Sequence, residues 1–429
     1  MTLLVLVLET LLAPFAALGV VLSFAFSRRR GLLSALAAEL PERLGALGDA
    51  GRARLLGRRV WWLHAASAGE VAGLSPLIDA LDAAPGGPAV LVTTTTAAGR
   101  DAARRNPKVA WAQLAPLDAW PCVARFLRET KPERMIISET ELWPSTILLA
   151  ARAGLKPALI NARMTERSLP RYRAAAFLLR PALGALSLVL AQSDLDADSF
   201  RAIGVGAGKL AVAGNTKYDR LAARPDGTAA AGALEILGWD RAPLFVAGST
   251  HPVEEAMILE AFALAAAAVP RLRLVLAPRH VERVAELLDA LTARGVAFAR
   301  LSSVHDAESG VPVLVLDAMG ALPSFWPRAA AAFVGGTLVP VGGHNLLEPA
   351  AAGAPVLFGP YTRHVDYPAV LLESGGGGFR VADGAALGRK LVSLLQDPGR
   401  SRAAGDRARD VADGLRGATG RTLTALGRV

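Results

Sequence analysis

The sequence predicts an α/β chain of two doubly wound, Rossmann-like domains in tandem, behind an apolar amino-terminal helix. Three observations carry this. Short β-rich runs alternate with longer Ala/Leu-rich helical patterns, as βαβ units on parallel sheets require. The alternation occurs twice, on either side of a looser stretch containing Arg224-Pro225-Asp226-Gly227. A length of 429 residues is too great for one ordinary domain and suits two domains plus an appendage.

The appendage is residues 1–30. Leu3 to Phe26 carries one charge, Glu9, and Arg28-Arg29-Arg30 follows at once. As a helix it reaches about 36 Å, enough to cross a hydrocarbon core of about 30 Å with some tilt. A cleaved signal peptide has its positive charges before the apolar run; here they come after it. The segment therefore reads as a signal-anchor with a basic stop, which leaves residues 31–429 on the cytoplasmic side.

The first domain is expected over 31–214, with strands at Val60–His64, Ala89–Thr93, Val109–Leu114, Arg134–Ser138, Pro157–Asn161 and Leu188–Gln192. Residues 215–240 read as a linker region. The second domain, 241–429, has expected strands at Leu244–Ala247, Leu272–Ala277, Val313–Leu316, Ala332–Val334 and Pro355–Phe358. Helical patterns such as Glu254–Val269 and Val281–Arg294 lie between them. Two such domains facing each other across a cleft would be a GT-B-like architecture, with ligands at the carboxyl ends of the strands.

Composition narrows the chemistry. Hydrophobic residues at 52% and charged residues at 20% exclude disorder. The single cysteine, Cys122, excludes an internal disulfide framework and a Cys-rich zinc site, and fits a reducing compartment. A net charge of +9 favours anionic partners such as phosphates, acidic sugars or an anionic membrane surface. No basic stripe interleaves with aromatics, which are only 6%, so nucleic acid is not an expected partner.

Several motifs sit at expected strand ends. His64-Ala65-Ala66-Ser67-Ala68-Gly69-Glu70 passes from a strand through small residues into a helix. Glu70 there could take a proton from a hydroxyl, or simply be an acid in the first helical turn; spacing alone favours the second. Glu139 and Glu141, in Ser138-Glu139-Thr140-Glu141, follow the apolar run Met135-Ile136-Ile137. Two carboxylates so placed need cations or hydrogen bonds nearby, or else cap the next helix. Asp194, Asp196 and Asp198 have the spacing of a metal-binding Asp-x-Asp, but Ser193 before them makes a helix cap the simpler account. Gly204-Val205-Gly206-Ala207-Gly208 lies between a helix and a strand, the reverse of a dinucleotide loop.

Lys217 follows the strand Leu210–Ala213 and could neutralise developing negative charge, or be a solvated surface lysine. Arg279 closes the strand ending in Ala277-Pro278, where its fork suits a phosphate or carboxylate. The strongest local signal runs from Phe333-Val334-Gly335-Gly336-Thr337 through Gly342-Gly343-His344-Asn345-Leu346-Leu347-Glu348. A glycine loop admits close approach, and a helix start offers N–H groups to a phosphate. A glutamate there can accept ribose hydroxyls. Nucleotide-sugar binding is the preferred reading.

In order along the chain, His64–Glu70, Glu139–Pro144, Asn161-Ala162-Arg163, Gly214–Asp219, Ser249-Thr250-His251, Pro278-Arg279-His280 and Phe333–Pro360 resemble the Kdo (3-deoxy-D-manno-octulosonic acid) transferases of lipopolysaccharide assembly. The resemblance implies a GT-B enzyme anchored in the inner membrane. Such an enzyme moves Kdo from CMP-Kdo to a lipid A precursor with inversion, using neither metal nor cofactor. It implies Glu70 as general base, with Glu139 and Lys217 stabilising the transition state. It implies CMP contacts at Pro278 and Arg279, at Met319, Gly320 and Ala321, and at Asn345, Leu346, Leu347 and Glu348. Ala321 stands where an acidic residue is frequent, and Leu346 where a proline is frequent. Another nucleotide sugar, a non-lipid acceptor and a binding protein without turnover stay open on the residues alone. The sequence is silent on oligomeric state.

Overall fold

The computed structural model describes residues 32–165, 167–220, 227–307 and 310–427. The anchor expected over 1–30 lies outside them. No helix among the described residues is long and apolar enough to cross a membrane. The chain divides into two compact units, Met1–Arg220 with Arg416–Val429, and Leu221–Leu415.

The first unit holds a seven-stranded sheet in the order β3-β2-β1-β4-β5-β6-β7. The strands are β1 (Val60–His64), β2 (Ala89–Thr94), β3 (Val109–Leu114), β4 (Arg134–Ser138), β5 (Ala158–Ala162), β6 (Leu188–Ala191) and β7 (Leu210–Val212). Every pairing is parallel. A parallel sheet covered by helices on both faces needs apolar residues at every position, not alternate ones. That is why β4 reads Met-Ile-Ile without a break. Alternation still sorts these residues between two cores. Trp62, Met135 and Ile137 join Phe126 and Phe200 on one face, while Leu63 and Ile136 join Leu74 and Ile78 on the other.

The last helix, Ala418–Gly427, packs in the first unit, although the sequence reading ran the second domain to 429. Asp219 is the reason. Its carboxylate accepts the N–H groups of Gly417, Ala418 and Thr419 at 2.6, 3.3 and 2.6 Å. The Arg421 guanidinium donates to the Ala213 carbonyl at 3.0 Å, and Leu426 enters the core beside Leu63 and Ile136.

The second unit repeats the plan with the order β10-β11-β9-β8-β12-β13-β14, again wholly parallel. Its strands are β8 (Leu244–Thr250), β9 (Arg273–Pro278), β10 (Phe298–Arg300), β11 (Val313–Val315), β12 (Ala329–Val334), β13 (Val356–Phe358) and β14 (Gly378–Arg380). The edge strands β10 and β14 are not expected from sequence because Phe298-Ala299-Arg300 and Gly378-Phe379-Arg380 hold no apolar run, unlike the equally short β11 and β13. Strand order reverses between β1 and β4 in the first sheet and between β8 and β12 in the second, where β10 and β11 are also exchanged at the far edge. In open parallel sheets, ligands bind outside the carboxyl ends of the strands at such a reversal.

Candidate active site

In the first unit, β1 delivers His64 and then Ala65-Ala66-Ser67 to the reversal point. Ser67 caps the helix Ala68–Ala83, its Oγ accepting the Glu70 N–H at 3.4 Å. Glu70 turns back, accepting the Ala66 N–H on Oε2 at 2.8 Å and the Ser67 hydroxyl on Oε1 at 3.3 Å. Ser67 is therefore the N-cap, and Glu70 folds back onto Ala66, one residue before the cap, so the reading as a first-turn acid describes its geometry well. It does not exhaust it. Burial pushes the Glu70 carboxyl up to about 7, the neighbouring charges of Glu139 and Glu141 add to the rise, and the Ala66 and Ser67 hydrogen bonds only partly oppose it.

Those two neighbours come from the end of β4. Glu139 sits at φ +60, a left-handed conformation uncommon for a residue with a Cβ. Burial raises its carboxyl, Lys217 and Arg163 pull it down, and Glu141 pushes it up, with a net rise. Glu141 has the opposite outcome. Burial would raise it, but the Trp143 Nε1–H donating at 2.7 Å and His64 Nε2 at 3.6 Å hold it below its ordinary value. Neither glutamate caps the next helix. Asp118 does that, accepting the Ser145 and Thr146 N–H groups at 3.1 and 2.6 Å. His64 is itself fixed from below, with Nδ1 at 2.9 Å from the Thr93 hydroxyl, which also accepts the Trp62 indole N–H at 2.7 Å.

Lys217 reaches the same cluster on the short turn Thr216–Arg220. Asn161, at φ +50 at the end of β5, grips that turn: its Oδ1 accepts the Thr216 N–H at 3.0 Å and its Nδ2 donates to Thr216 Oγ1 at 2.9 Å. Thr216 Oγ1 in turn donates to the Gly73 carbonyl at 2.8 Å. Lys217 has an exposed flank, yet the protein packed around its ammonium lowers its proton affinity, and Arg163 adds to this while Glu139 opposes it. Arg163, His64 and Thr93 had no assigned role from sequence, because what they touch lies in distant segments.

In the second unit, β8 ends at Ser249 (φ +56), Thr250 and His251, and the helix Pro252–Ala268 follows. Fully buried Glu254 organises everything around it. Its Oε1 accepts the His251 and Gly336 N–H groups at 2.9 and 2.7 Å, and its Oε2 accepts the Leu338 N–H at 3.3 Å. Burial still lifts this carboxyl to about 7 against those three donors. The loop it holds must contain glycine: a Cβ on Gly335 would stand 2.1 Å from the Ser249 carbonyl oxygen.

Pro278 and Arg279 close β9, with the Arg279 N–H donating to the Thr250 carbonyl at 3.0 Å and its side chain exposed. Met319, Gly320 and Ala321 follow β11, the neighbour of β9; Met319 is 78% exposed and Gly320 lies at φ +80. Asn345 starts the next helix, Leu347–Ala352, its Oδ1 accepting the Leu347 N–H at 3.1 Å and its Nδ2 donating to Glu348 at 3.0 Å. Leu346 and Leu347 are buried, so neither side chain is presented to solvent. All nine expected CMP-contact residues thus follow β9, β11 or β12.

Two other motifs are accounted for by structure alone. Ser193 Oγ accepts the Asp196 N–H at 3.2 Å, Asp196 accepts the Met164 N–H at 2.8 Å, and Asp198 pairs with Arg201. Gly204–Gly208 links the helix Asp194–Ala202 to β7, as its sequence context required.

Comparison with known proteins gives a consistent picture. Residues 38–220 match the family described as 3-Deoxy-D-manno-octulosonic-acid transferase (kdotransferase). A 3-deoxy-D-manno-octulosonic acid transferase of Bordetella pertussis is 36% identical over 376 residues, 85% of this chain and 86% of that protein. Its counterpart in Haemophilus influenzae is 31% identical over 369 residues, again 85% of this chain and 86% of the relative. Among solved structures, Anabaena HepE in complex with UDP aligns with 86% of this chain and 100% of its own at a TM-score of 0.54 and 15% identity, a likeness of fold. Sequence likeness over most of both chains, on two parallel α/β units, settles the point: this chain belongs to the 3-deoxy-D-manno-octulosonic acid transferase family.

Proposed function

We propose that this chain transfers Kdo from CMP-Kdo to a hydroxyl of a lipid A precursor, inverting the anomeric centre without metal. The observation that carries the reading is Glu70, a carboxyl held at about 7 beside Glu139, Glu141 and Lys217 at a strand-order reversal. A base poised near the working pH takes a proton most effectively. In this reading Glu70 accepts the proton of the acceptor hydroxyl as its oxygen attacks the anomeric carbon of Kdo. The bond to phosphate breaks, and CMP leaves with the electron pair. Lys217, with Glu139 beside it, offsets the charge that develops. Arg279 and the backbone of 319–321 and 345–348 hold CMP. Residues 1–30 anchor the chain in the inner membrane, where the lipid acceptor is met from the cytoplasmic face. Incubating the purified chain with CMP-Kdo and tetraacylated lipid A precursor, and weighing the products, tests this directly. A Kdo-sized mass increase is expected; the absence of any adduct, or transfer from a uridine-activated sugar instead, would overturn it.

Two further results follow. The base must be ionised, so kcat/KM falls as pH drops through about 7 and Glu70 becomes protonated. Glu139 raises Glu70, so Glu139→Gln lowers the maximal rate but moves that acid limb to lower pH. A limb unmoved or shifted upward would remove the coupling. Arg279→Ala deprives an anion of a bidentate partner, and CMP affinity measured by calorimetry should fall about tenfold or more. Unchanged CMP affinity would exclude Arg279 from the nucleotide site.

A further inference from the structure

We infer that His251 and His344 form a protonatable site for the acidic group of the donor, and that one imidazole gains a proton as that group binds. The inference rests on the reading that the second unit holds the nucleotide sugar, and adds a recognition element to it. Both residues lie in motifs that carry the family resemblance, Ser249–His251 and Phe333–Pro360, but the resemblance gives neither imidazole a role.

Position comes first. His251 follows β8 and His344 follows the glycine loop after β12, the two strands that flank the reversal of the second sheet. Their Nε2 atoms lie 2.9 Å apart and their ring planes are within 5° of parallel, with centroids 5.2 Å apart, so the two rings meet end to end. At that distance one nitrogen donates and the other accepts, so the unliganded pair shares a single proton between the two Nε2 atoms. Gly336, at φ +69, makes the approach tight, since a Cβ there would lie 3.1 Å from the His344 ring.

Charge comes second. His280 stands edge-on to His251 with ring centroids 6.2 Å apart, and Arg279, Arg283 and His364 also act on the pair. Two carboxylates are near, and both are engaged. Glu254 is saturated by three backbone N–H groups, and Glu255 accepts from Thr250 Oγ1 at 3.0 Å and pairs with Arg283 at 3.4 Å. Burial, with these surrounding cations, lowers His251 and holds His344 down at about 4. Arg283 is matched by Glu255 and by Glu286 at 3.2 Å, and His280 faces Glu282 at 3.4 Å, so the positive potential left at the pair comes from Arg279 and His364, and an anion arriving there reverses the balance. It supplies the opposite charge that makes protonation favourable. Protonation also removes the acceptor from the Nε2 pair, leaving two N–H groups that an oxyanion can satisfy together. A metal ion between the imidazoles is the rival occupant. Protein-held zinc takes at least three protein ligands, and the described residues contain no group of three that could serve.

Donor phosphate and Kdo carboxylate share this chemistry, and calorimetry on the full chain separates them. CMP-Kdo, CMP and cytidine are titrated between about pH 6 and 8 in buffers of differing ionisation enthalpy, with wild type, His344→Gln and His251→Asn. The difference between wild type and variant cancels the titration of the CMP phosphate monoester, whose second pKa is ~6; the phosphate of CMP-Kdo is a diester and does not titrate in this range. Expected are proton uptake in wild type but not in the variants, affinity falling as pH rises, and an affinity loss of about tenfold in each variant. Uptake with CMP as well as CMP-Kdo assigns the site to phosphate; uptake with CMP-Kdo alone assigns it to the sugar carboxylate. Binding of both ligands without differential uptake sinks the inference and leaves the donor reading intact. Failure of both to bind wild type sinks the donor reading and the inference together. Thermal melting checks that the variants fold, and the pH dependence of wild type tests the claim if one does not.

Discussion

Glu70→Gln should fold, bind CMP-Kdo with near wild-type affinity, and lose transfer by ~10²–10⁴-fold, the usual worth of a positioned general base. The amide is nearly isosteric with the carboxyl. Its oxygen can still accept the Ala66 N–H that now bonds Oε2 at 2.8 Å, so the first turn of the helix Ala68–Ala83 survives. Replacing an acid that two neighbouring carboxylates repel also relieves that repulsion, and the melting temperature should not fall. What disappears is the ability to take a proton near neutral pH. Single-turnover transfer, followed by mass spectrometry beside a calorimetric CMP-Kdo titration, separates the two properties. Transfer close to wild type would strip Glu70 of its assigned role, and loss of donor binding would show that the substitution reaches further than a proton acceptor should.

Glu254→Ala should be the most damaging change outside the chemistry. It strands the N–H groups of His251, Gly336 and Leu338 in a fully buried setting. At about 1–3 kcal/mol for each orphaned donor, the loss is on the order of 3–9 kcal/mol. For a unit of this size it corresponds to a melting temperature lower by roughly 10 °C or more. CMP binding should be lost as well, because the glycine loop is held against Ser249 by this carboxylate. Glu254→Gln should fall between the two, since its amide oxygen can keep the His251 and Gly336 bonds while its NH₂ opposes the Leu338 N–H. A calorimetric scan with a CMP titration would decide, and unchanged stability and affinity in the alanine variant would show the loop to be held by something else.

What the sequence disclosed was set by how local each cause is. Runs such as Met135–Ile137 and Leu274–Leu276 announce central parallel strands, because burial on both faces demands apolar residues at every position. Strands β10 and β14 left no such trace. Serine and glutamate three positions apart at Ser67 and Glu70 mark a helix start, and the structure shows that start. The elevation of Glu70 could not be read there, since it comes from burial and from Glu139 and Glu141, which follow a different strand. The pair at the end of β4 drew notice as carboxylates lacking visible partners. Those partners, Lys217, Arg163, His64 and Trp143, mostly arrive from elsewhere in the chain. The pairing of His251 with His344 spans 93 positions and was equally invisible.

The allegiance of the carboxyl-terminal helix bears on how the protein is made. A nascent chain emerges from the ribosome amino end first, and amino-terminal domains usually finish folding while the remainder is still being synthesised. Here Leu426 fills a place in the interior beside β1 and β4, and Asp219 has no helix to cap until residues 417–419 appear. The unit begun first is therefore completed only after the second has been made, and until residues 417–426 emerge its hydrophobic interior keeps one side open to chaperones and proteases.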